Sequence, residues 1–127
     1  MADEPLPVVY TPEFKRNLRR LAKKYRHIRE DIEPIIDQVA AGGTPGDQIT
    51  GVAYEVYKVR GPNSDARKGK SGGYRIIYQV KPAEAVVLIT VYSKSDQADV
   101  PAAEIRSIIA SHEASKADET EDESSHE

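Results

Sequence analysis

Residues 85–92, AVVLITVY, form an uninterrupted apolar run that contains five β-branched residues and no charge. A strand with one wet face alternates polar with apolar side chains, so a run of this kind reads as a strand buried on both faces. Any fold that accepts it must cover the sheet on two sides.

The rest of the chain is arranged around that strand. Leu6 to Tyr10 reads as a short apolar strand. Thr11 then offers an N-cap hydroxyl, and Pro12 is a first-turn residue with no amide hydrogen to leave unpaired. Phe14, Leu18, Leu21, Ala22 and Tyr25 recur at helical spacing, with Lys15, Arg16, Arg19, Arg20, Lys23 and Lys24 on the outer face. The apolar series continues through Ile28, Ile32, Ile35, Ile36 and Val39 to Gly42-Gly43.

A seven-residue repeat (14, 21, 28, 35 and 18, 25, 32, 39) permits one long helix or a coiled coil. A helix of thirty residues would span ~45 Å, whereas a compact body of about 110 residues has a radius of gyration near 13 Å. Two helices folded back near Arg26-His27, with Pro34 bending the second, fit better.

After a loop over 42–51, residues 52–59 and 73–80 read as strands that precede the apolar run. Asp99 or a neighbour then starts a final helix, with Pro101 in its first turn and Ile105, Ile108 and Ile109 facing inward. The expected class is α+β in a single domain. Its order is an N-terminal strand, a two-helix hairpin, an antiparallel three-strand meander and a C-terminal helix.

Charge is divided unevenly. Residues 111–127 hold seven acids and one lysine, while the other 110 residues hold seventeen bases and fourteen acids. The acidic segment has no large apolar residue and cannot bury enough surface to offset its ordering entropy. The expected organisation is a flexible N-terminus at 1–5, a domain at 6–112 and a disordered acidic tail at 113–127. The chain of 127 residues has no Cys, which fits a reducing cytoplasm and leaves no disulfide framework. No run approaches the ~20 apolar residues that span a bilayer. The acids at the N-terminus argue against an export signal.

Within a net negative chain, Tyr57 to Tyr78 carries Lys58, Arg60, Arg67, Lys68, Lys70 and Arg75 against the single acid Asp65. Its flanks alternate like strands, and its middle is rich in Gly, Pro, Asn and Ser. A basic hairpin with tyrosines beside it suits a polyanion, RNA first. Lys58 and Arg60 share a strand face. If Lys58 pairs opposite Arg75, all three cations converge with Val56 and Ile77. A slip of one residue would put Ile76 opposite Lys58 and turn Arg75 away.

Other chemistry is poorly supported. Gly69-Lys70-Ser71 lacks the earlier glycine of a Walker loop, since position 64 is Ser, and a strand follows it rather than a helix. His27, His112 and His126 lie away from the basic stretch, and no acid or histidine cluster has metal-ligand spacing. No metal, cofactor or small-molecule ligand is expected. RNA lets Lys and Arg suffice, because the ribose 2′-hydroxyl is itself the nucleophile.

Three stretches resemble the RelE/ParE toxin superfamily: residues 57–60 (YKVR), 71–80 (SGGYRIIYQV) and 88–94 (LITVYSK). The segments KGKSGGYR and YSKSD look most like its HigB-like branch. The resemblance implies a RelE-like fold and a cytoplasmic toxin that is partnered by a cognate antitoxin and cleaves messenger RNA on the ribosome.

It also implies roles. Lys58 matches a cation on the RNA backbone, Arg60 the position of the general base, Arg75 the arginine that stabilises the transition state, and Lys94 the general acid. Arginine is a poor base, so that role passes to Lys58 or Lys70. Arg67, Lys68 and Lys70 are expected to steer phosphates. Tyr74 or Tyr92 would supply base stacking in place of a C-terminal tyrosine that the chain lacks. The alternatives are a ParE-like inhibitor of DNA gyrase that cleaves nothing, and a degraded member that only binds an antitoxin.

Overall fold

The structure, a computed structural model, describes residues 5–65, 73–97 and 99–126, with side chains as far as 114. Its elements run β1 (Val8–Tyr10), α1 (Pro12–Lys24), α2 (Ile28–Ala40), β2 (Asp47–Ile49), β3 (Val56–Gly61), β4 (Tyr74–Lys81), β5 (Ala85–Ser93) and α3 (Ala102–His126). The five strands form one sheet in the order β1-β5-β4-β3-β2. β1 pairs with β5 in parallel, and the other neighbours are antiparallel. The α+β class and element order are those expected from the sequence, with one strand more.

Every residue of β5 is buried. On one face Val86, Leu88 and Val91 meet Phe14 and Leu21 of α1 and Ile28, Ile32 and Val39 of α2. On the other, Val87, Ile89 and Tyr92 meet Ile105 and Ile109 of α3. The sheet is thus the middle of three layers, which is what its apolar strand requires.

Thr11 ties the N-terminal elements to that strand. Its hydroxyl accepts from the Phe14 amide at 3.0 Å, capping α1, and donates to the Ile89 carbonyl at 2.8 Å. The seven-residue repeat is carried by two helices, not one. Tyr25 leaves helical geometry at φ −121°, ψ 94°, and α2 restarts at Ile28. Both helices then lay their apolar stripes on the same sheet face.

Three boundaries differ from expectation. β2 falls inside the presumed loop over 42–51, because Asp47-Gln48-Ile49 is too short and polar to show alternation. β3 starts at Val56, so Tyr54 lies outside it and is exposed, while Val52 still reaches the α3-side core. α3 carries helical backbone into the acidic segment expected to be without structure; Ala, Glu and Lys are good helix formers locally. No helix of the described residues is long and apolar enough to cross a membrane.

Candidate functional site

Alternation along β3 sends Val56, Lys58 and Arg60 to one face of the sheet, and along β4 it sends Arg75, Ile77 and Gln79 to the same face. Tyr74, Ile76 and Tyr78 go to the other, against α1 and α2. The register pairs Arg60 with Arg75 and Lys58 with Ile77. This is two residues from the pairing considered in the sequence. Because side chains alternate with a period of two, a two-residue offset preserves the faces that a one-residue slip would exchange. Lys58, Arg60 and Arg75 therefore line one cleft of about 360 Å3, together with Gly46 and Asp47.

Two glycines allow that convergence. Gly46 has φ +96°, and a Cβ there would lie 2.2 Å from the Lys58 carbonyl oxygen. Gly73 lies between the arginines: a Cβ would come within 2.6 Å of the Gly61 carbonyl oxygen, 3.3 Å of Arg75 Nη1 and 3.5 Å of Arg60 Cγ. Arg75 donates to the Tyr74 carbonyl at 3.3 Å. Among the described residues neither guanidinium has an ion-pair partner.

Lys58 is held differently. Its Nζ lies 2.9 Å from Asp99 Oδ1, and the same oxygen accepts from the Val100 amide at 2.8 Å and the Tyr92 hydroxyl at 3.4 Å. Lys58 foremost, then the Val100 amide, holds the Asp99 carboxyl below the usual carboxylate range. Tyr92 is pushed up to about 12, chiefly by burial, with Asp99 adding to the rise and Arg75 opposing it. Its phenol is protonated at neutral pH.

A bulge puts Tyr92 in that group. Ile77 pairs with Thr90 and Tyr78 with Leu88, so Ile89 is the extra residue and the alternation of β5 reverses beyond it. Tyr92 consequently sits opposite Arg75, on the cationic face.

The other expected site residues scatter. Tyr74 is a correction. It is 0 % exposed, on the far face from Arg75, with its ring edge-on to Tyr25 at 5.8 Å. Its strand parity assigns it to the core, where no base can stack on it. Tyr92 is on the proper face but only 4 % exposed. Lys94 is half-buried just past the end of β5; its amide donates to the Gly73 carbonyl at 3.0 Å, and it is not among the described residues that line the cleft. Arg67, Lys68 and Lys70 lie outside the described residues.

Asp47, Gly46 and, as a partner of Lys58, Asp99 were not legible as site residues. Asp99 stood out only as a candidate start for the last helix. Among the described residues no three His, Cys, Asp or Glu side chains gather as a metal site. The arrangement offers three convergent cations tempered by two carboxylates, which suits a phosphodiester better than a neutral ligand.

Compared with known families, residues 8–98 match the model for the ParE toxin of the type II toxin-antitoxin system, parDE. No curated protein matches the chain.

Proposed function

The chain belongs to the ParE toxin family of type II toxin-antitoxin systems, and on that premise we propose that it is an endoribonuclease of the HigB-like branch. It cleaves messenger RNA on the ribosome and is restrained by a cognate antitoxin. The observation that carries this reading is the shared cleft of Lys58, Arg60 and Arg75. A protein that acts only by binding another protein has no need to bring three cations together across two strands.

Cleavage would proceed by removal of the ribose 2′ proton, attack of that oxygen on phosphorus and departure of the 5′ oxygen with a proton. The products are a 2′,3′-cyclic phosphate and a 5′-hydroxyl. Arg75 and Arg60 offset the charge that gathers on the phosphorane oxygens. We assign the base role to Lys58, which takes the 2′ proton as the neutral amine once its own proton is lost, and Lys94 is assigned the leaving-group proton by the family resemblance alone. Tyr92, on the cationic face but almost wholly buried, donates its hydroxyl to Asp99.

Inhibition of DNA gyrase without cleavage is the second reading, and the matched family, ParE, favours it. Induction of the chain in a bacterium, with transcript 5′ ends and DNA breaks mapped side by side, separates the two. New 5′-hydroxyl ends within messages, absent with Arg75→Ala, support the endoribonuclease. DNA breaks without such ends support gyrase as the target. Antitoxin binding with neither outcome would mark a degraded member.

A further inference from the structure

The acid at position 99 has no role in the chemistry just described, yet it ion-pairs with Lys58 at 2.9 Å. Resting on the reading that the cleft binds RNA phosphates, we propose that Asp99 is a built-in competitor for RNA: its carboxylate occupies Lys58 until a phosphate of the strand displaces it.

Three features support displacement over a fixed structural bond. Asp99 is 63 % exposed and Lys58 31 % exposed at the side chain, so the pair is wet and screened, and little is lost by parting it. Lys58 lines the cleft, whereas Asp99 does not, so a phosphate in the cleft and the carboxylate would compete for one ammonium. Asp99 also keeps the Val100 amide and the Tyr92 hydroxyl as donors when Lys58 leaves. The carboxylate is ionised at neutral pH, held so first by Lys58. Asp47 on the cleft wall adds a second negative charge beside the three cations, without an ion pair to either arginine among the described residues. Such a site binds a lone phosphate weakly. It is served best by a strand that brings several phosphates at once.

The test uses Asp99→Asn in the full chain, since an asparagine oxygen still accepts from the Val100 amide and keeps the local turn. Binding of a labelled single-stranded uridine oligonucleotide is titrated at several salt concentrations, beside Lys58→Ala and Arg75→Ala, with circular dichroism to show that each variant folds. The expected result is binding about three- to tenfold tighter at low salt for Asp99→Asn, with a salt slope steeper by about 0.7, one further phosphate neutralised. Unchanged or weaker binding by Asp99→Asn, while Lys58→Ala weakens it, overturns the competitor and leaves the cleft as the RNA site. Binding unaffected by both Lys58→Ala and Arg75→Ala overturns the RNA site itself.

Discussion

Arg60 and Arg75 stand directly opposite each other across the β3–β4 ladder. Directly opposed residues on one face of an antiparallel pair have Cβ atoms about 5 Å apart, and like charges there lower stability. Neither guanidinium is neutralised by an acid among the described residues. An anion between the two relieves the repulsion, so the pair is costly in the free protein and useful in a complex.

Removing one of them should therefore separate stability from activity. Arg75→Ala is expected to leave thermal stability unchanged or to raise it by up to about 1 kcal/mol. Its RNA cleavage should fall about a hundredfold, or ~3 kcal/mol of transition-state stabilisation. Calorimetry and single-turnover cleavage measure the two. A variant that loses both together would show Arg75 to be structural.

Gly46→Ala is expected to destabilise the fold by about 1–3 kcal/mol, because it combines a positive φ with a clash against backbone that has no room to move. The displaced oxygen belongs to Lys58, so binding to polyanions should weaken in the folded fraction as well. Urea denaturation and salt-dependent oligonucleotide binding give the two readouts.

Thr11→Val keeps the shape of the side chain and removes its hydroxyl. It should cost about 1–2 kcal/mol, since the α1 cap and the bond to the Ile89 carbonyl disappear in a site with no access to water. Activity per folded molecule should be unchanged. Urea titration checks the first and active-site-normalised cleavage the second.

The root of the basic loop responds to pH. His27 donates its backbone amide to Asp65 Oδ2 at 2.7 Å, and its Nδ1 lies 2.8 Å from Asp65 Oδ1. Asp65 beside it raises the imidazole above its ordinary value, and His27 lowers the Asp65 carboxyl. The histidine's share of stability is complete below the ordinary imidazole range and is lost as pH rises through the raised value. The aspartate's share is present above the ordinary carboxylate range and is lost as pH falls through the lowered value. The pair should contribute most between the lowered carboxyl value and the raised imidazole value, and less on either side. His27→Ala should flatten the change in melting temperature between about pH 5.5 and pH 8. An identical slope in the two proteins would show the clamp to be energetically idle.

Much of this was legible in the residues. The run at 85–92 announced a strand buried on both faces. Thr11-Pro12 marked the start of a helix, and alternation put Lys58 and Arg60 on one strand face, with Arg75 joining them in only one of the two registers considered. What could not be read depended on geometry that a sequence does not encode locally. The bulge at Ile89 reverses the facing of Tyr92, and no turn residue or glycine marks it. Tyr74 looks as suitable a stacking platform as Tyr92 until the sheet assigns it to the core. β2 is defined by its pairing with β3, not by its own three residues. The contact between Lys58 and Asp99 joins positions 41 apart, and nothing in either neighbourhood points to the other.

The parallel pairing of β1 with β5 has a consequence for the order of assembly. Val8 finds its partner at Val86, and the Thr11 hydroxyl finds its acceptor 78 positions further along the chain. β3 and β4, by contrast, are near neighbours in sequence and can pair with each other before β5 leaves the ribosome. A nascent chain can thus form its arginine-bearing hairpin while its first strand still waits outside the ribosome for an edge to join. The seam that joins β1 to β5 spans the longest stretch of chain of any in the sheet, so the arginine-bearing hairpin has the shorter loop to close.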